Sequence, residues 1–372
     1  MEITLLCKVV DNFGDVGVAY RLISRLHKLN PDNKLNLIID DLYSFQKINN
    51  KINPAKSFQQ VDSLNIYNWN DYDFCYSAFS GEKNQHLQII LELFQCGRPD
   101  WMEKILFEDN LDHVVNIIMV DYLTAESYAE DFHKLKSLTR KAIVQKVNFM
   151  PGFTDKTGGL IIDDNWNQIA PRKSEGDILF FCYDREGSGW APLLKALNKY
   201  NQTFSKKLLV AQGKGHDSLI SSYNQLSGSL NFKVQSLDFL NQNQWDNMMK
   251  NCSFLFIRGE ETMSRACLSG IPFVWHAYPQ SDEYQLVKVK ALLDVMKNHF
   301  LPQDFSVVEK VWLMFNTPVS EVDDISFENA IYEFLVQQEK LVYGFNSFSK
   351  SLLNNGDMAK NLLDFISEIA SK

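Results

Sequence analysis

Three groups of residues combine side chains that can do chemistry. The first is Asp11-Asn12-Phe13-Gly14-Asp15-Val16-Gly17, which sets two carboxylates and two glycines close together. Gly14 and Gly17 permit a tight turn, but a dinucleotide pyrophosphate would meet two negative charges there. A polar or cationic acceptor suits the loop better. The competing structural reading is an Asx turn at Asp11 and a helix cap at Asp15. The second group is Arg258-Gly259-Glu260-Glu261-Thr262, directly after the apolar run SFLFI. Arg258 and a helix start can hold a phosphate, with Thr262 nearby, while Glu260 and Glu261 suit hydroxyls. Ordinary first-turn acids beside a surface arginine are the plainer account. The third group is aromatic: Phe181 and Tyr183, then Phe239, Gln242 and Trp245, then Trp275, His276 and Tyr278. Phe181 and Tyr183 share a face if they lie on a strand, and rings at strand ends can clamp a planar base whose edge Gln242 reads. Core packing is the default for such rings.

Other chemistries lack their signatures. The histidines form no HxH or HExxH pair, Asp71-Tyr72-Asp73 reads as a solvated turn, and there is no GxSxG elbow or Walker sequence. GKGH (213–216) reads only as a loop. No metal is expected.

The elements that must position these residues alternate. Residues 3–10 form a β-type run, 18–29 carry helical spacing, and 34–40 read as a second strand, so the first acidic group lies in a β-to-α loop. Residues 74–79 and 114–120 read as further strands, and 84–94 as a helix. The cycle restarts at Asp177 with a strand to 183, a helix over 191–200 and a strand over 206–212. From about Pro302 the pattern is helical only. The expected division is an N-terminal Rossmann-like domain over 1–165, a linker over 166–176, a C-terminal Rossmann-like domain over 177–345, and a helical segment over 346–372 that crosses back to the first domain.

Composition limits the partners. The 372 residues include 37 Lys plus Arg against 46 Asp plus Glu, a net charge of −9, which disfavours nucleic acid and anionic membrane over the surface as a whole. No apolar run approaches a membrane span, the N-terminus MEITLLCKVVDNFGD has no signal pattern, and the six cysteines lack CxxC spacing. A cytoplasmic protein is expected.

The segments VVDNFGDVGVAYRL (9–22), FMPGFTDKTGGL (149–160), FCYD (181–184), LDFLNQNQWD (237–246) and FIRGEETMSRACLSGIPFVWHAYPQ (256–280) together resemble the bacterial protein-arginine rhamnosyltransferases, the EarP family. The resemblance spans most of the chain in the expected order. It implies an α/β, GT-B-like fold, two Rossmann-like domains facing a central cleft. It also implies metal-independent, inverting transfer of L-rhamnose from dTDP-β-L-rhamnose to an arginine of translation elongation factor P, which activates that factor for relief of ribosome stalling.

By the same resemblance Asp15 is the leading catalytic carboxylate, Asp11 supports the loop formed with Asn12, Phe13, Gly14 and Gly17, and Glu260 is a second candidate carboxylate. Phe181, Tyr183, Phe239 and Trp245 correspond to a thymine pocket, Gln242 to a nucleotide contact, and Arg258, Glu261, Thr262 and Tyr278 to ribose or diphosphate contacts. Three departures from the family pattern involve four residues. Glu261-Thr262 stands for a usual Asp-Ser, Trp245 for a smaller aromatic, and Thr124 for the serine of YLSAE. A related glycosyltransferase with another sugar or acceptor, and a non-catalytic binding protein, are the alternative readings.

Overall fold

The computed structural model describes residues 1–10, 13–81, 87–170, 175–187, 189–280 and 282–370. Two compact units divide it, one of residues 1–163 with 355–372 and one of residues 164–354.

The first unit begins with β1 (Glu2–Cys7), α1 (Phe13–Leu29), β2 (Lys34–Ile39), α2 (Leu42–Ile48), the hairpin β3 (Phe58–Val61) and β4 (Leu64–Asn68), and α3 (Tyr72–Phe79). It continues with β5 (Ile89–Leu93), α4 (Asp100–Phe107), β6 (Val115–Val120), α5 (Tyr128–Phe132), β7 (Lys136–Ser137) and β8 (Val144–Phe149). The strands form one sheet in the order β3-β4-β2-β1-β5-β6-β8-β7. Its interior pairs are parallel, and only β3 and β7 run antiparallel to their neighbours. Side-chain alternation explains why β1 is buried along nearly its whole length: Leu5 and Cys7 enter one core layer and Leu6 enters the other.

The second unit contains β9 (Asp177–Phe181), α6 (Ala191–Tyr200), β10 (Leu208–Val210), α7 (His216–Leu226), β11 (Val234–Ser236), α8 (Gln242–Lys250), β12 (Cys252–Arg258), α9 (Glu260–Ser269) and β13 (Phe273–His276). Helices α10 (Tyr284–Met296), α11 (Pro302–Asn316), α12 (Asp324–Val336) and α13 (Gln338–Asn354) complete it. Its sheet is wholly parallel, in the order β11-β10-β9-β12-β13. The chain then returns to the first unit as α14 (Met358–Ala370), whose Leu362, Phe365 and Ile366 join the core layer of α1. Each such burial contributes about 1.5–3 kcal/mol. Arg25 and Asp357 pin this return at 2.7 Å.

Four expectations from sequence need correction. FCYSAF (74–79) is helical: Asp71 caps α3 by accepting the Phe74 N–H, and Cys75 and Phe79 alone face the core, a helical spacing. Residues 89–93 of the segment read as a helix form the buried central strand β5, whose short, mostly apolar run fits either element by periodicity. Helix α1 starts at Phe13, not Val18, so Gly14 and Gly17 lie within it. The unit boundaries also fall elsewhere, at 163/164 and 354/355, because α13 continues unbroken past residue 345. Among the described residues no helix is long and apolar enough to cross a membrane.

Candidate functional site

Parallel strands deliver their loops to one sheet edge, and each unit carries one of the expected groups there. In the first unit Asp15 sits in the first turn of α1 and is buried, so it is not the helix-capping residue. Its Oδ2 accepts the Val10 N–H at 2.8 Å, which fixes the β1–α1 connection against the helix start. Asp40, after β2, accepts the Val9 N–H at 2.8 Å through Oδ1. Burial, helped by Asp15, Cys96 and Asp40, pushes the Cys7 thiol well above its usual range, so Cys7 stays neutral beneath an acidic edge. Asp11 and Asn12 lie outside the described residues, as does the side chain of Phe13.

In the second unit, Phe181 ends β9, Tyr183 follows it, and Arg258 ends the adjacent β12. Register pairs Ile257 with Phe181, which brings Arg258 level with the ring-bearing turn. The Arg258 guanidinium carbon lies 4.7 Å from the Phe181 ring centroid and 4.6 Å from that of Tyr183. Among the described residues its buried Nε has no hydrogen-bond partner. The cation thus lies over both rings. Trp245 from α8 meets Phe181 edge-on at 5.0 Å, and Tyr278 meets Tyr183 edge-on at 5.3 Å. Phe239 is 53% exposed on the approach to α8, and Gln242 opens that helix behind an Asn241–Gln244 capping box.

Gly259 separates β12 from α9 with φ of 75°, a left-handed turn that suits glycine. Glu260 and Glu261 occupy the next turn. Glu260 approaches Lys288 at 3.5 Å, Glu261 approaches Arg265 at 3.5 Å, and Thr262 is buried. Beyond β13, Asn316 accepts the Ala277 N–H and donates to Trp275 O, both at 2.8 Å, so a buried side chain fixes the backbone leading to Tyr278. Burial, with Arg185 and Arg258 nearby, holds His276 down at about 3, hence neutral.

The arrangement can bind a planar ring beside an anion. A family model described as elongation-factor P (EF-P) rhamnosyltransferase EarP matches residues 3–367. The chain belongs to this family. The protein-arginine rhamnosyltransferase of Shewanella oneidensis is 25% identical over 97% of this chain and 96% of its own length. A solved structure of EarP-mediated arginine glycosylation of EF-P aligns with a TM-score of 0.59 at 18% identity, covering 99% of each chain. A UDP-glucose:anthocyanidin 3-O-glucosyltransferase in complex with UDP gives a TM-score of 0.56 at 10% identity, covering 100% of this chain and 99% of its own. The fold is therefore that of GT-B glycosyltransferases, and as an EarP-family member the chain is a rhamnosyltransferase.

One loop beside these rings is more than the connection its sequence suggests. GKGH, read only as a loop, borders the rings: a Cβ on Gly213 would lie 3.0 Å from Phe181 Cε2 and 3.1 Å from an Arg258 terminal nitrogen. Lys214 stands 5.8 Å from the Tyr278 ring centroid. The signal was the small residue itself, which only a close approach requires. Among the described residues no group of three or more His, Cys, Asp or Glu is gathered as a metal site would need.

Proposed function

We propose that this chain transfers L-rhamnose from dTDP-β-L-rhamnose to an arginine guanidinium of EF-P, with inversion at the anomeric carbon. The observation that carries the donor side is Arg258 lying over both Phe181 and Tyr183. A thymine base matches the surrounding rings, Phe239 and Trp245 included, with Gln242 at its edge. The diphosphate matches Arg258 and the first turn of α9, where Glu261, Thr262 and Tyr278 serve the ribose and phosphates.

A guanidinium is a poor nucleophile, because its pKa exceeds about 12 and its lone pairs are delocalised. A carboxylate cannot deprotonate it in advance. Asp15, with Asp11 in support, instead orients and localises the guanidinium and takes the proton as the new bond forms. A guanidinium nitrogen attacks the anomeric carbon, the bond from that carbon to the diphosphate oxygen breaks, and its electron pair leaves with dTDP. Arg258 and the helix start offset the charge that develops there. Glu260 is a second carboxylate for this step, modulated by Lys288. The reaction requires no metal in this scheme, and its setting is the cytoplasm.

Incubation of the full chain with dTDP-β-L-rhamnose and EF-P, read by intact mass, is expected to add one rhamnosyl unit. An unchanged EF-P mass with intact dTDP binding would reject this acceptor.

A further inference from the structure

The sheet edge that presents Asp15 also carries an aromatic arrangement. Strand β5 ends at Leu93, and the next two residues, Phe94 and Gln95, both have left-handed backbone, with φ of 55° and 53°. Neither is glycine, and such a conformation persists in residues with side chains only where the surroundings impose it. Here they do. The Phe94 N–H donates to Val120 O at 2.8 Å, and Gln95 Nε2 donates to Asp121 Oδ2 at 2.9 Å. The Phe94 ring stacks on Tyr122, with centroids 4.5 Å apart and planes inclined by 21°.

The location is specific. Strand β5 pairs with β1 on one side, Leu6 opposite Glu92, and with β6 on the other, Leu93 opposite Val120. Phe94 and Tyr122 therefore leave the sheet at the edge where Val10 meets Asp15. The β1–β5 boundary is also where strand order reverses, since the chain runs from β1 to β2 and β4 on one side and then crosses to β5 on the other. Parallel sheets open their ligand crevice at such a point. Three carboxylates are fixed at this edge, Asp15 and Asp40 by the Val10 and Val9 N–H groups and Asp121 by Gln95, and the Arg98 cation is engaged by Glu92 and Glu103, each at 2.5 Å. Tyr122 is 38% exposed.

We propose that Phe94 and Tyr122 form a positioning platform on which the acceptor arginine's guanidinium stacks before it reaches Asp15. The inference rests on the arginine-acceptor reading above. A planar cation is drawn to an aromatic face and to the acids around it. Tyr122 makes and breaks no bond. The left-handed pair aims Phe94 so that it braces the Tyr122 ring.

The test is a double-mutant cycle with full-length enzyme, in which EF-P and its arginine-to-alanine form are each bound to wild type and to Tyr122→Leu. Tyr122→Leu is expected to weaken binding of EF-P by about tenfold, to leave the alanine form unaffected, and to keep wild-type dTDP affinity; Tyr122→Phe should stay within about twofold. Equal weakening of both EF-P forms, or no weakening, overturns the platform. Should Tyr122→Leu lose dTDP binding, the same cycle is run with Tyr122→Gln under the same criteria. Wild-type enzyme that never modifies EF-P would instead sink the acceptor reading, a separate result from the mass assay.

Discussion

Arg258 holds its guanidinium 4.6 Å above the Tyr183 ring, so the cation at the end of β12 is oriented by aromatic faces. Its guanidinium carries a planar fork of donors of the kind that suits a diphosphate. Replacing Arg258 with Lys keeps the charge but loses the stacked plane and the fork of donors. Affinity for dTDP, measured by calorimetry, is expected to fall about tenfold or more, while thymidine affinity changes little. Equal losses for both ligands would place Arg258 outside the phosphate site.

Asp15→Asn separates charge from structure. The asparagine oxygen can still accept the Val10 N–H that Asp15 now accepts at 2.8 Å. Melting temperature should therefore hold. The rhamnosylation rate should drop by about 10²–10⁴-fold, the range for loss of a positioned proton acceptor. Rates followed by EF-P mass shift decide it, and near-normal turnover would remove Asp15 from the reaction.

Gly213→Ala tests the close approach at the proposed donor pocket. The added methyl would crowd Phe181 at 3.0 Å and Arg258 at 3.1 Å, tighter than ordinary contact. The loop can yield only by moving those two groups. A several-fold loss of dTDP affinity is expected with little change in thermal stability.

Stability should depend on pH through His276. Its folded value is about 3 against an ordinary 6.5, because the ring is buried among aromatics and near two arginines. Between those values the unfolded chain binds a proton that the folded chain does not. The stabilising contribution is thus complete above about pH 6.5 and is lost as pH falls toward 3. His133, held at about 4 chiefly by burial, acts in the same direction. Melting temperature should decline on acidification below about pH 6.5, and His276→Phe should flatten the decline, each proton being worth up to about 1.4 kcal/mol per pH unit. A slope unchanged by His276→Phe would assign the acid sensitivity elsewhere.

Much of this arrangement was legible in the sequence because it follows from local pattern. The β1-to-α1 opening and the strand that ends at Arg258 are short-range features, whereas Tyr183 lies beyond the end of β9 and meets Arg258 beside Phe181 from the following turn. What the pattern hid depended on tertiary context. FCYSAF has strand-like composition, yet Asp71 caps it as a helix whose apolar positions match one core layer. Residues 89–93 are apolar except for Glu92, and pairing between two sheet neighbours makes them a strand. Gly213 borders Phe181 and Arg258 because β9, β10 and β12 lie side by side, a relationship between distant segments. The left-handed Phe94–Gln95 turn was invisible for a different reason: neither residue prefers it, and the neighbouring strand imposes it.

The return of α14 makes the two units unequal at the ribosome. The second unit, residues 164–354, is continuous and can close as soon as it emerges, whereas the α1 face of the first sheet waits for a helix encoded after that unit. At about 5–20 residues per second, synthesis of the intervening unit leaves that apolar face uncovered for roughly 10–40 s. A nascent chain arrested inside the second unit therefore presents a half-covered sheet, a natural client for chaperones and proteases.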